Sequence, residues 1–174
     1  MQTNLRGRDL ISDLDFSREE VETVLDVAWD LKRKRALGES HAYRRDKTLA
    51  MLFFFTSTRT RGSFEAGMAQ LGGRAIYLAP TDIQLGKRET VKDVAKNLER
   101  WVDGIMARTF THQTVEQLAR HAAVPVINGL SDLTHPCQIL ADLFTLREKR
   151  GPLRGVKVAY IGDGNNVFHS WLYG

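Results

Sequence analysis

Residues 57–61 read Ser57-Thr58-Arg59-Thr60-Arg61, three hydroxyls and two guanidinium groups with no acid among them. An apolar run precedes the segment and a helix-forming stretch follows it. That position puts free backbone N–H groups and the positive end of a helix dipole beside the hydroxyls. Arg59 adds a planar fork of donors matched to phosphate oxygens. The Gly-x-x-x-x-Gly-Lys signature of a nucleotide-binding loop is absent, so the cradle suits a small anion rather than a nucleoside triphosphate. The alternative is a polar helix cap whose arginines face solvent.

The elements that must position this segment alternate between short apolar runs and helical patterns. Ser17 with Glu20 forms a capping box, and Val21, Val24, Leu25 and Ala28 make the apolar stripe behind it. Residues 48–55 are continuously apolar and too short for a typical helix, as expected of a strand buried on both faces. A helix through Phe64 to Leu71 should stop at Gly72-Gly73. The pattern then gives a strand over 74–79, a helix over 90–103 and a strand over 104–108. A helix over 113–122, a strand over 124–128 and a helix opened by Pro136 and running to 149 complete it. Such alternation predicts an α/β domain with a parallel sheet flanked by helices.

Gly151-Pro152 reads as a boundary, dividing a domain over 1–150 from the opening of a second, Rossmann-like domain over 151–174. Residues 156–161 look like another buried strand, and the chain stops partway into the next helix. One strand and part of a helix cannot make a core.

In open parallel sheets, ligands bind at the carboxyl ends of the strands. Reading off those ends collects Ser57 to Arg61, the loop Gln84 to Arg88, Arg108, then Asn128-Gly129 leading to His135 and Gln138, and finally Asp163, Asn165 and Asn166. Arginines, hydroxyls, amides and one histidine with few acids describe a site for a small anion carrying a carbonyl or amide. His135, just before Pro136, could instead be a helix cap, and Arg108 could pair with Asp103 or Glu99. Cys137 reads as a small buried residue rather than a nucleophile. Gly162-x-Gly164 lacks the third glycine of a dinucleotide fingerprint.

Bulk properties fit this picture. The 174 residues are 43% hydrophobic and 26% charged, ordinary globular values sufficient for one domain and part of another. The net charge of +4 suits an anionic partner. The dense basic run Lys32-Arg33-Lys34-Arg35 ends a helical pattern, where cations complement the dipole, so no nucleic-acid partner is expected from it. With a single cysteine no internal disulfide forms. The first residues carry no apolar signal segment, and no run approaches the ~20 residues of a membrane span. A cytoplasmic protein without a membrane partner is therefore expected.

The motifs together resemble the aspartate/ornithine carbamoyltransferase family. Ser57-Thr58-Arg59-Thr60-Arg61 resembles its phosphate loop, and His135-Pro136-Cys137-Gln138 followed by Leu140-Ala141-Asp142-Leu143 resembles its second motif. Gly162-Asp163-Gly164-Asn165-Asn166-Val167 with Ser170, and Gln84-Leu85-Gly86 before Glu89, resemble the ornithine branch. The resemblance implies carbamoyl transfer from carbamoyl phosphate to the side-chain amine of L-ornithine, giving citrulline and phosphate in arginine metabolism. It implies that Ser57, Thr58 and Arg59 hold the phosphate, that Thr60, Arg108 and His135 face the carbonyl oxygen, and that Gln138 binds the carbamoyl nitrogen. Gln84 would reach the neighbouring subunit's site in a homotrimer, and Asn166 would contact the α-amino acid end of ornithine. No metal or organic cofactor is implied. Aspartate, putrescine or an acylated ornithine remain alternative acceptors, and a carbamoyl-phosphate binder without turnover is a further alternative. Two departures stand out. Phe54-Phe55-Thr56 replaces the Glu-Lys-Pro or Glu-Pro run usual before the phosphate loop, and the family pattern runs to roughly twice this length, with an Asp…Ser-Met-Gly loop and a His-Cys-Leu-Pro motif still to come.

Overall fold

The computed structural model describes residues 4–84 and 89–174. After a short 3-10 turn at Asp13–Asp15, helix α1 spans Arg18–Leu37. Strand β1 (Thr48–Phe53), α2 (Thr58–Gln70), β2 (Arg74–Leu78) and α3 (Val91–Leu98) follow. Then come β3 (Gly104–Arg108), α4 (His112–His121), β4 (Val126–Leu130), α5 (Pro136–Arg150) and α6 (Asn166–Tyr173). The strands form a parallel sheet in the order β2-β1-β3-β4.

The expected α/β architecture is present, and the continuous apolar character of β1 has the expected cause. Alternate residues enter two separate cores. Ala50 and Leu52, with Ile105, Ala107 and Val126, pack under Val94, Ala95 and Leu98 of α3 and Val115 and Leu118 of α4. Leu49, Met51 and Phe53, with Met106, pack against Phe64 and Met68 of α2. A strand covered on both faces tolerates no polar position, and Ala50, Met51, Leu52 and Phe53 are fully buried.

Local chemistry sets the element ends. The Ser17 hydroxyl accepts the Glu20 N–H at 3.3 Å and the Glu20 carboxylate accepts the Ser17 N–H at 2.8 Å, closing the capping box of α1. The basic run at the other end lies beside acids: Lys32 pairs with Glu148, Arg33 with Glu39 and Lys34 with Asp30. The Asp103 carboxylate takes the Lys47 ammonium at 2.7 Å and the Thr48 N–H at 2.9 Å, tying the entry of β3 to that of β1. Glu99 accepts the Ala123 N–H at 2.7 Å and pairs with Lys96. Neither acid is paired with Arg108.

Four boundaries differ from expectation. Strand β1 ends at Phe53, two residues early, because the chain turns towards α2 once Phe54 has donated its N–H to the Arg108 carbonyl at 3.0 Å. The helix after it begins at Thr58, so the arginine segment is its first turn. Helix α3 ends at Leu98, because the chain must turn back for the Asp103 N–H to reach the Thr48 carbonyl at 2.8 Å. Strand β4 runs Val126–Leu130, two residues later than expected, and the ladder slips between Ala107 and Arg108 to accommodate it. Leu10 lines β4 from the other side through a parallel bridge to Ile127.

The strand expected over 156–161 is not formed. A strand needs a neighbour for its backbone groups, and among the described residues this segment has none. Val158 is 55% exposed and Ile161 98%. The helix expected beyond it does form, as α6, capped by the Asn165 side chain on the N–H groups of Val167 and Phe168.

The turn between α2 and β2 depends on two glycines for different reasons. Gly72 adopts a left-handed conformation (φ +82°), whereas Gly73 is pressed against backbone. A Cβ at Gly73 would stand 2.8 Å from the Lys47 carbonyl and 2.9 Å from that of Arg44. Gly73→Ala is expected to lower stability by about 1–3 kcal/mol, the usual cost of overpacking. A urea midpoint unchanged from the parent would show that the turn yields freely.

Candidate active site

The carboxyl ends of β1, β3 and β4 bring the expected groups together. Phe53 and Arg108 are register partners on neighbouring strands, so the segment after β1 and the side chain of Arg108 start from the same level of the sheet. Ser57 caps α2, and its hydroxyl donates to Thr60 Oγ1 at 3.1 Å while accepting the Thr60 N–H at 3.4 Å. Arg108 donates from Nη1 to the same Thr60 oxygen at 3.3 Å. A chain of hydrogen bonds thus links the head of α2 to the end of β3. The N–H groups of Thr58 and Arg59 lead the helix, where a helix has no carbonyl of its own to offer them.

The two arginines of the segment have different fates. Arg61 pairs with Glu65 at 3.0 Å and lies 3.9 Å over the Tyr77 ring, so its charge is compensated locally. Arg59 and Arg108 form no ion pair among the described residues. The Arg108 pKa is lowered by burial and then by the charge of Arg59 beside it. Two like charges thus act on each other, and among the described residues neither arginine has an acid paired with it. Like charges repel, and an anion bound to both would relieve the repulsion.

His135 borders the same cluster. Its pKa is depressed to about 4, first by burial and then by the charge of Arg108, so the ring is neutral at neutral pH. It occupies the cap position of α5 but makes no side-chain cap bond, and its buried Nδ1 has no hydrogen-bond partner among the described residues. The ring is therefore not serving as a helix cap. Gln138, one turn into α5, is exposed and donates from Nε2 to Asp142 at 2.9 Å. Cys137 is inert: its thiol donates to the Asn128 carbonyl at 3.4 Å, and burial pushes its pKa up to about 12.

Two expected groups stand apart from this cluster. Gln84 is exposed, and its carbonyl accepts the Glu89 N–H at 3.3 Å; the rest of its loop, 85–88, lies outside the described residues. Asn166 has its amide engaged, donating to the Ser131 carbonyl at 2.7 Å and accepting the Val167 N–H at 2.9 Å.

Three supports hold this cluster, and although Asn128, Ser170 and Phe55 stand in segments noted in the sequence, nothing there assigned them this role. Asn128, Ser131 and Thr134 are fully buried polar residues. The Asn128 amide donates to Ile11 O at 2.9 Å and Thr134 Oγ1 at 3.1 Å, clamping the turn that delivers His135. Ser170 of α6 accepts the His135 backbone N–H at 2.8 Å and donates to Asp13. The rings of Phe55 and Phe110 stack beside Arg108. The signal for the first was available, a polar run between a strand end and a proline. The other two join residues far apart in the chain.

Comparison with known proteins gives the family. The carbamoyl-phosphate-binding domain of the aspartate/ornithine carbamoyltransferases matches residues 8–148. The chain belongs to that family. It is 56% identical over 173 residues to an ornithine carbamoyltransferase of Bacillus subtilis, covering 99% of this chain and 53% of that protein. The ornithine carbamoyltransferase structure from Pyrococcus furiosus superposes with a TM-score of 0.97 at 52% identity, over 99% of this chain and 55% of that one. The Thermus thermophilus structure gives 0.88 at 51% identity, over 94% and 56%. The chain spans about half the length of the relatives it matches. Among the described residues no cluster could hold a metal ion, and no helix is long and apolar enough to cross a membrane.

The burial of His135 has a consequence for pH. Its folded pKa of about 4 lies below the ordinary 6.5, so as pH falls the unfolded chain takes up this proton first. The contribution to stability is complete above about pH 6.5 and is lost progressively down to about 4. In an NMR titration the His135 ring should stay neutral at pH 5.5, and His135→Gln should remove this part of the acid sensitivity. A midpoint near 6.5 would mean that the ring is in water.

Proposed function

We propose that the crevice binds carbamoyl phosphate and that the chain is the carbamoyl-phosphate-binding half of an ornithine carbamoyltransferase. The observation that carries this reading is the arginine pair: Arg108 is hydrogen-bonded to Thr60 at the head of α2, within the field of Arg59 and of the neutral His135 ring, and neither arginine has an ion pair among the described residues. Such a site favours a dianionic phosphate bearing a carbonyl over a simple cation or an apolar ligand.

In the reaction, the uncharged side-chain amine of ornithine attacks the carbonyl carbon of carbamoyl phosphate. A C–N bond forms, negative charge collects on the carbonyl oxygen, and the C–O bond to phosphate then breaks. The amine proton ends on the departing phosphate, and citrulline and hydrogen phosphate leave. Ser57, Thr58 and Arg59 hold the phosphate oxygens at the head of α2, where charge grows as the phosphate departs. Thr60, Arg108 and His135 donate to the carbonyl oxygen; a neutral imidazole serves, since donation needs only an N–H. Gln138 keeps its Nε2 bond to Asp142 and accepts from the carbamoyl nitrogen through Oε1. The arginines supply the charge, so the mechanism is written without metal or organic cofactor.

The acceptor side belongs to the wider protein. Residues 151–174 begin the ornithine domain, and Asn166 exchanges its bond to the Ser131 carbonyl for the α-amino acid end of ornithine. Gln84 completes a neighbouring subunit's site in a homotrimer. The setting is cytoplasmic arginine metabolism, with no nucleic-acid or membrane partner. The names of the relatives, and identity above 50% to them, support ornithine as acceptor.

Arg59→Ala is expected to weaken carbamoyl phosphate binding at least tenfold, since each lost charge-assisted hydrogen bond is worth about 1.5–3 kcal/mol. The fold should persist, because Arg59 is exposed and forms no ion pair among the described residues. Unchanged affinity by calorimetry would remove the phosphate role. The 174 residues alone should form citrulline far more slowly than the Bacillus subtilis relative, because an unoriented second substrate forfeits about 7–11 kcal/mol of proximity. Comparable rates in a colorimetric citrulline assay would show that the crevice alone is the active site.

A further inference from the structure

Arg108 presents a mechanical problem. Its guanidinium has five donor hydrogens, and among the described residues a single hydrogen bond, Nη1 to Thr60 Oγ1 at 3.3 Å, holds it. Its Nε is buried without a partner. A carboxylate would fix the fork, as Glu65 fixes Arg61, but it would also cancel the charge that an anion site requires. An aromatic face attracts a cation while leaving its in-plane donors free and its charge uncancelled.

The chain supplies such a face from the segment where it departs from the usual family pattern. The Arg108 guanidinium carbon lies 4.5 Å from the centroid of the Phe55 ring. That ring is in turn stacked on Phe110, with centroids 5.0 Å apart and planes at 28°. Phe54 meets Phe110 edge-on at 6.5 Å and 82°. Phe110 is 63% exposed, a poor place for a phenyl ring unless it backs something. The two rings come from opposite sides of one ladder, since Phe55 follows β1 and Phe110 follows β3. The shelf is therefore built at the sheet level where Arg108 emerges.

We propose that Phe55 is a positioning residue, its ring, backed by Phe110, forming the shelf that holds the Arg108 guanidinium in place for the carbonyl end of carbamoyl phosphate. This rests on the carbamoyl phosphate reading of the site. The shelf does what an acid does elsewhere in the chain without neutralising the site, and it leaves the outer donors of Arg108 for the ligand.

The test uses the chain as it is, with Phe55→Leu, Phe55→Tyr and Phe110→Leu variants and carbamoyl phosphate as the calorimetric probe. Phe55→Leu should weaken binding roughly three- to tenfold, the scale of one partly desolvated cation–π contact. Phe55→Tyr keeps the π face and should bind within about twofold of the parent by the same criterion. Phe110→Leu, at an exposed position, should give an intermediate loss and serves if Phe55→Leu fails to fold. Without ligand, the Arg108 δ-methylene protons should show ring-current upfield shifts in the parent and the Tyr variant and lose them in Phe55→Leu. Leu and Tyr variants that bind equally, or a parent without ring-current shifts, would overturn the shelf while leaving the site reading intact. A parent that shows the shifts but binds no carbamoyl phosphate would overturn both the site reading and the shelf's role in it.

Discussion

Arg59 and Arg108 carry like charges that act on each other, with no acid paired to either among the described residues, so their placement has to come from the surrounding structure. At Arg59 and Arg108 the restraint is the sheet. Arg108 is the last residue of β3, hydrogen-bonded into the ladder opposite Phe53, and Arg59 sits in the first turn of the helix that β1 feeds. Strand pairing through fully buried Ala50, Met51 and Leu52 sets the distance between those two points. The backbone positions from which the two arginines emerge are thus set by the close-packed hydrophobic core. Core packing, cap geometry and the charge state of the site form one mechanical unit.

The same logic explains the neutral histidine. His135 follows a turn clamped by the buried Asn128, Ser131 and Thr134, and its own N–H is taken by Ser170. A ring so fixed and desolvated beside a guanidinium does not carry a proton at neutral pH. The clamp has a cost: Asn128 Oδ1 is buried without a partner among the described residues, a defect of about 1–3 kcal/mol.

Beyond α5 the chain behaves differently. Residues 156–161 form no strand, whereas α6 is anchored by Ser170 to the His135 N–H and Asp13 and by Asn166 to Ser131. The helix that follows the would-be strand therefore touches the site before any second sheet is present. The proposed acceptor side and the phosphate side are coupled through the backbone of the residue that lies between them.

Sequence alone carried the alternation of elements, the two-faced burial of β1, the capping box of α1 and the cluster of anion-binding types at strand ends. These depend on periodicity, capping chemistry and residue type, all of which are local. It misplaced β4 by two residues because the register there is set by Leu10 and Met106, neither near in sequence. It expected a strand over 156–161 because an apolar run cannot signal whether a partner exists. It left open whether His135 was a cap and whether Arg108 met Asp103 or Glu99. Only the fold decided these, by sending Asp103 to Lys47, Glu99 to Ala123, and the imidazole into a dry corner beside Arg108. Residue types determined what the site could bind; charge state and orientation depend on distances between segments that only the packed sheet brings together.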